Sequence, residues 1–227
     1  MRLCTIQIFR VLKLLDGIKR YGFGTETGPK LKLRLLNVSK KELLKDLETA
    51  IDYDMSNLFK KYTKMNTVLL GSPYSMLLSD FYFSRHPQDI SLLREFQKCR
   101  SAHAPFVAAA DPALFDMKAF TELGTPRDMS KIFESAELVT WKAFRDSEDS
   151  RYVSLVLPRY AARLPYGAKF IPVESFSFEE DVDGKDHSKY LWANSSYQLG
   201  LKITDAFAKY GWTSAIRGLK VVVRLKV

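Results

Sequence analysis

The sequence has little cysteine and no long apolar run. Its only cysteines, Cys4 and Cys99, are not in a C-x-x-C arrangement. A disulfide framework or a structural zinc site needs more ligands at closer spacing, so we predict two free thiols in a reducing compartment. No apolar stretch reaches the roughly 18 residues of a membrane span. The basic, partly apolar start of the chain is interrupted by Gln7, Arg10 and Lys13 and has no small-residue cleavage site. We therefore expect neither a membrane segment nor a secretory signal, and predict a cytoplasmic protein.

The short motifs of common enzyme sites are also missing. Gly22-Phe-Gly24 has neither the later glycine nor the following helix of a phosphate-binding loop. The three histidines are His86, His103 and His187, but no G-x-S-x-G nucleophile elbow is present, so a nucleophile would have to come from a distant serine. The sequence therefore predicts no catalytic, cofactor-binding or metal-binding residue, no cofactor, and a protein that is not an enzyme.

An acidic loop from Glu179 onward comes nearest to a metal site. Glu179, Asp181 and Asp183 fall at alternate ligand positions of a calcium loop. The twelfth position, which needs a bidentate carboxylate, is Tyr190, so the match fails where chelation is strongest. The favoured interpretation is a solvated loop that caps a helix starting near Ser188.

A second function class depends on the same loop. His187 lies near Asp183 and Asp186 in the sequence, and a neighbouring carboxylate could hold one tautomer of its ring. The alternative is therefore a metal-dependent or hydrolase-like α/β enzyme centred on Asp183, Asp186 and His187.

The net charge of +9 lies mainly at the two ends of the chain. Residues 1–23 hold five basic residues and one acidic residue, and residues 219–227 hold three basic residues, which leaves +2 for the 195 residues between them. A phosphate-tracking basic stripe is not present in the body, so we expect no nucleic-acid partner. A nucleic-acid binder that uses the two ends remains a third alternative.

The pattern of apolar residues predicts alternating strands and helices. Apolar and basic residues alternate over 31–38, as in a half-buried strand, and Ser39 with Glu42 forms a capping box. A long helix is predicted next because apolar residues recur every three or four positions. These residues are Leu44, Leu47, Ile51, Met55, Leu58 and Tyr62.

The rest of the chain continues the alternation. Three further strands are predicted in the ranges 74–83, 105–110 and 152–157. Helices are predicted at 88–102, after Thr125-Pro126, and at 189–210 with Gly211 as the C-cap. The predicted fold class is α/β, with an incomplete layered mixed sheet and flanking helices. The mixed charges of Arg145–Arg151 fit either a solvated helix end or an ion-pair network between subunits.

Seven stretches of the chain resemble the large subunit of the bacterial type VI secretion contractile sheath. They occur in that family's order and lie between Thr25 and Gly218. They are Leu36–Leu43, His103–Phe115, Thr121–Asp128, Phe144–Tyr152, Arg163–Gly167, Phe178–Trp192 and Ala208–Trp212. The resemblance implies a non-enzymatic subunit that pairs with a small sheath subunit and with other large subunits. It also implies a helical sheath around an inner tube, whose contraction drives effector injection, and an AAA+ unfoldase that recycles the contracted sheath.

Both ends depart from the family pattern. Residues 219–227 can be encoded by the codons TTG AAG GTG GTG GTG CGG TTG AAG GT. Read one base earlier, the same bases give the Val-Glu-Gly-Gly-Gly-Ala-Val-Glu-Gly run typical of the family. A similar shift of residues 15–23 gives a family-like tryptophan-glycine-leucine stretch.

We therefore expect three regions. Residues 1–23 would be an aberrant basic segment, 24–218 the sheath large-subunit core, and 219–227 an aberrant tail. A chain truncated in this way would lack the strand-exchanging ends and could not enter a working sheath. Sequencing the locus tests this hypothesis, and an in-frame junction with different codons would contradict it.

Overall fold

The chain divides into two compact units in the computed structural model. The central unit is Leu35–Pro158, and the terminal unit combines Met1–Arg34 with Arg159–Val227. The structure describes residues 17–19, 21–50, 55–58, 60, 74–97, 104–125, 132–134, 138–168, 172, 178–182 and 186–216.

A three-stranded parallel sheet forms the middle of the central unit. Its strands are β1 (Leu77–Phe83), β2 (Phe106–Ala110) and β3 (Val153–Val156), in the order β1-β2-β3. All five residues of β2 are buried, which explains why its sequence is a continuous run of small and apolar residues. The strands predicted at 74–83, 105–110 and 152–157 are thus confirmed, as is the α/β class.

Among the described residues of the central unit, three complete helices accompany this sheet. They are α1 (Lys40–Thr49), α2 (Pro87–Gln97) and α3 (Val139–Arg145). The rings of Phe96 and Phe106 stack with centroids 3.9 Å apart, and Phe83 meets Phe106 edge-on at 6.0 Å. The apolar core of the central unit also contains Leu43, Leu47, Ile90, Leu93, Leu114, Leu138, Trp141 and Phe144.

The capping box at the start of α1 is confirmed, but the predicted long helix is wrong. The Ser39 side chain accepts from the Glu42 amide at 3.2 Å, and the Glu42 carboxylate accepts from the Ser39 amide at 2.7 Å. The helix ends at Thr49, since Ala50 is extended. Met55, expected on the apolar stripe, is 56 % exposed. Ile51 and Tyr62 lie outside the described residues.

The strand predicted at 31–38 is also wrong for the chain alone. Residues 31–39 belong to neither a helix nor a strand. Only Val38 of this stretch packs against the apolar core of the central unit.

The described part of the terminal unit contains one long helix, α4 (Ser196–Tyr210), and a short antiparallel pair of strands. The pair joins β4 (Tyr160–Ala161) to β5 (Trp192–Ala193). The helix predicted from Lys189 therefore begins seven residues later, because β5 pairs with β4 before it. Gly211 ends the helix with φ 67°, which confirms the predicted glycine cap.

Residues 17–19 and 21–24 are helical and pack on α4. A Cβ atom at Gly17 would lie 2.7 Å from the Tyr197 ring, and one at Gly24 would lie 2.7 Å from Leu201. Close backbone approach thus requires glycine at both positions. The hydroxyls of Thr25 and Thr204 are 3.2 Å apart and buried. The region boundaries expected at residues 23/24 and 218/219 stay a prediction.

Several sequence predictions fall outside the described residues. They concern Cys4, Cys99, His103, the helix start at Thr125-Pro126, Asp183 and the tail 219–227. Within the part of the chain that is described, no helix is long and apolar enough to cross a membrane.

Candidate functional site

Two of the family-like stretches meet in the terminal unit. Arg163 comes shortly after β4, and Glu180 lies in the acidic loop that leads toward β5. Arg163 Nη1 donates to Glu180 Oε2 at 2.9 Å, and Nη2 donates to Oε1 at 2.6 Å. This bidentate pair fixes the planes of both groups and is the strongest geometry that a guanidinium and a carboxylate can form. We call it the Arg163–Glu180 clamp.

The clamp is largely shielded from water. The side chains of Arg163 and Glu180 are 26 % and 16 % exposed. The hydrogen bond from Arg163 lowers the pKa of Glu180, burial opposes this effect, and the Tyr166 amide and the Arg163 charge lower it further. The carboxylate is therefore held in its charged form.

Backbone contacts join the clamp to the turn at Tyr166. The Tyr166 amide donates to Glu180 Oε2 at 3.1 Å, and the Glu180 amide donates to the Tyr166 carbonyl at 2.9 Å. The Arg163 guanidinium lies 4.2 Å from the centre of the Tyr166 ring, within cation–π range. Gly167 follows with φ 147°, a conformation that favours glycine. Through these contacts, Glu180 of the acidic loop holds the turn at Tyr166 and Gly167 in place.

The acidic loop continues as a capped turn. The Asp186 carboxylate accepts from the Ser188 amide at 2.9 Å and from its hydroxyl at 2.6 Å. It thereby caps the 3-10 turn His187–Lys189, not the start of a long helix as predicted. Asp181 lies 3.4 Å from the Lys189 ammonium group.

Of the alternative enzyme centre, the structure places Asp186 and His187. The His187 ring packs near Tyr190 and Trp192, with centroids 6.2 and 6.5 Å away, and the Trp192 indole donates to the His187 carbonyl at 2.6 Å. Asp183 lies outside the described residues. Within those residues, no group of three or more His, Cys, Asp or Glu side chains is placed to hold a metal ion.

The mixed-charge stretch Arg145–Arg151 lies in the central unit. Arg151 pairs with Glu148 three residues before it, and both side chains are largely exposed. The Arg145 guanidinium lies 5.2 Å from the Phe133 ring centre. The stretch thus makes contacts within its own unit, and its use between subunits stays a prediction.

Sequence reasoning missed a second polar junction, at Asp46. Its carboxylate accepts from the Asn57 amide at 3.1 Å, from the Asn57 side chain at 2.7 Å and from the Leu58 amide at 2.9 Å. Burial raises the pKa of Asp46, but the bonds from Leu58 and Asn57 and the charge of Lys60 outweigh it and leave the pKa lowered. Asp46 is eleven positions from Asn57 and twelve from Leu58, and helix or strand periodicity gives no signal over such separations.

The Arg163–Glu180 pair was also not predicted. Its members are 17 residues apart, on opposite sides of a turn. The available signal was that both lie in stretches that resemble one family.

Comparisons with a family model and with a known protein both find similarity to sheath proteins. Residues 16–226 match the VipB family model, described as EvpB/VC_A0108, tail sheath N-terminal domain. A relative from Pseudomonas aeruginosa strain PAO1, the type VI secretion system sheath protein TssC1, is 48 % identical over 200 residues. The alignment covers 86 % of this chain and 40 % of the relative, so the chain spans less than half of that protein's length.

Proposed function

The chain belongs to the VipB tail sheath N-terminal domain family, and from this premise we propose that it is a structural part of a type VI secretion sheath. The observation that carries the proposal is the family match, which extends over residues 16–226. In this role the chain supplies folded surface for assembly and catalyses no reaction.

The proposed assembly contains several partners. The chain pairs with the small sheath subunit and lies beside other large sheath subunits. Together they surround an inner tube in the cytoplasm, and contraction of the sheath drives the tube and its effectors outward. An AAA+ unfoldase acts on the assembled sheath afterwards. The sheath relative named above supports the first two partners, since its printed name describes a sheath protein.

The use of polar side chains in the terminal unit agrees with a structural role. Arg163 and Glu180 form a bidentate pair, and the Asp186 carboxylate accepts from the Ser188 amide and hydroxyl. These groups hold turns in place, which is what a subunit needs if it must present the same surface in every copy. Nothing in the described residues favours the enzyme centred on Asp183, Asp186 and His187.

Co-expression tests the proposal directly. A tagged form of the chain is produced in cells that contain the intact sheath genes, and in matched cells from which only the small-subunit gene is deleted. We expect the tagged chain to copurify with the small subunit in the first cells. Recovery of the chain alone from both would contradict the proposal. Electron microscopy of the purified fraction separately tests the sequence-based expectation that the chain cannot enter a working sheath, and contractile tubules that contain the tagged chain would contradict that expectation.

A further inference from the structure

Three aromatic side chains form a cluster where the acidic loop ends. This aromatic cluster consists of His187, Tyr190 and Trp192, whose ring centroids lie 6.2, 6.2 and 6.5 Å apart in pairs. The ring planes are tilted against one another by 32–53°, so the rings neither stack nor meet edge-on. His187 is exposed, and Tyr190 and Trp192 are half-buried. The cluster is therefore an aromatic surface of the terminal unit that another molecule can reach.

Hydrogen bonds hold the aromatic cluster in this arrangement. His187 belongs to the 3-10 turn that Asp186 caps, and Trp192 lies in β5, which pairs with β4. The Trp192 indole donates to the His187 carbonyl at 2.6 Å and so connects the two ends of the cluster. A surface that is ordered before its ligand arrives loses less conformational entropy on binding.

Other rings of the chain have a cation of the same chain above them. Lysine or arginine side chains lie 4.2–6.0 Å from the centres of five rings, which is cation–π range. These rings belong to Phe23, Phe83, Phe133, Tyr152 and Tyr166. Among the described residues, no lysine or arginine lies over a ring of the aromatic cluster. The ammonium group of the neighbouring Lys189 lies 3.4 Å from Asp181 instead.

Charge favours a cationic ligand at this place. The chain has a net charge of +9, yet residues 179–189 contain five acidic and two basic residues. The pairing of Arg163 with Glu180 neutralises one acidic group and leaves the loop negative. A cation about 4 Å above the centre of the three rings would lie within about 6 Å of every centroid, where cation–π attraction acts.

Among protein cations, arginine suits such a surface better than lysine. Its planar guanidinium stacks on aromatic faces, and its fork of N–H donors can bond a carboxylate at the same time. The Asp181 side chain, 87 % exposed, is available as such an acceptor beside Lys189.

We propose that the aromatic cluster binds the side chain of an arginine presented by another protein. The guanidinium packs on the rings of His187, Tyr190 and Trp192, and the negative acidic loop attracts it. The sheath assignment does not require this contact, so the proposal can fail while the proposed function stands.

A small-molecule titration tests the proposal on the whole chain without changing its fold. N-acetyl-arginine methylamide is added at pH 8, and nuclear magnetic resonance follows the tryptophan indole N–H signals. The Trp192 signal is identified by its loss in Trp192→Phe. We expect it to shift and approach saturation, and the neutral isostere N-acetyl-citrulline methylamide to bind at least about fivefold more weakly because it has no charge. Equal binding of the two compounds, or no shift with either, would overturn the proposal.

Trp212 and two tyrosine variants supply the matched controls. Trp212 is 70 % exposed and lies outside the aromatic cluster, so its indole signal should not shift. Tyr190→Leu removes one ring of the cluster, whereas Tyr210→Leu removes a 68 % exposed ring at the end of α4. We expect Tyr190→Leu to weaken binding of the arginine compound about threefold and Tyr210→Leu to leave it unchanged. Equal shifts of the two indole signals, or equal binding by the two variants, would contradict the proposal.

Discussion

The central and terminal units are stabilised in different ways. The central unit has a continuous apolar core that includes Phe83, Phe96 and Phe106. Several buried residues of the terminal unit are polar, among them Thr25, Asn194, Ser195, Ser196 and Thr204. Apolar burial is non-directional and nearly independent of pH, whereas hydrogen bonds and ion pairs are directional and titrate. The stability of the terminal unit should therefore depend more strongly on pH than the stability of the central unit.

The largest expected effect is a cavity in the central core. Phe106→Ala removes a ring that stacks on Phe96 and meets Phe83, and should lower the free energy of unfolding by about 3–5 kcal/mol. Urea unfolding followed by circular dichroism measures the change. Leu123→Ala, at a 38 % exposed position in the same unit, should change stability by less than about 0.5 kcal/mol. Equal effects would mean that the core is not where the structure places it.

The clamp of the terminal unit should come next. Arg163→Ala leaves the half-buried Glu180 carboxylate without its bidentate donor, and should cost about 2 kcal/mol, since both groups retain some contact with water. Local hydrogen exchange around Tyr166 measures the change. The control is Arg151→Ala, which breaks an exposed pair with Glu148 and should cost at most about 0.5 kcal/mol. If Arg163→Ala destabilised the chain no more than Arg151→Ala does, the shielded ion pair would contribute no more than the exposed one, and the prediction would be wrong.

Acid should affect the clamp through Glu180. Its pKa is lowered in the folded state, so its contribution is complete above the unfolded value of about 4.3. That contribution is lost as pH falls below this value and through the folded pKa. The stability difference between the unmodified chain and Glu180→Gln should therefore be larger at pH 7 than at pH 3. Urea titrations at both pH values check it, and a difference that grows in acid would have the wrong sign.

The smallest expected effect concerns the start of α1. Ser39→Ala removes the hydroxyl that accepts from the Glu42 amide, and should cost about 1 kcal/mol. Ser39→Thr keeps a hydroxyl that can accept from the Glu42 amide and donate to the Glu42 carboxylate, and should restore most of the loss. Thermal unfolding distinguishes the two variants, and identical melting temperatures would rule out a contribution from the cap.

The sequence contained the local signals of the central unit. The short run of small apolar residues over 105–110 indicated a buried strand, and Asp111-Pro112 marked its end. The capping box at Ser39 and Glu42 needed only residues three apart. Both predictions succeeded because neighbours in the sequence determine them.

The errors arose where distant contacts decide the structure. Apolar periodicity continued past Thr49, but the Asp46 carboxylate bonds to Asn57 and Leu58, and Ala50 is extended. The helix was predicted to begin at Lys189, but Trp192–Ala193 form β5, which pairs with β4, and the helix begins only at Ser196. The clamp depends on a 17-residue separation that periodicity does not encode.

Native mass spectrometry of the chain mixed with purified small sheath subunit tests the central claim most directly. We expect a complex whose mass exceeds the chain's 26.0 kDa by the mass of one or more whole small subunits. A spectrum that contains only the separate chains, under conditions where both are folded, would contradict it.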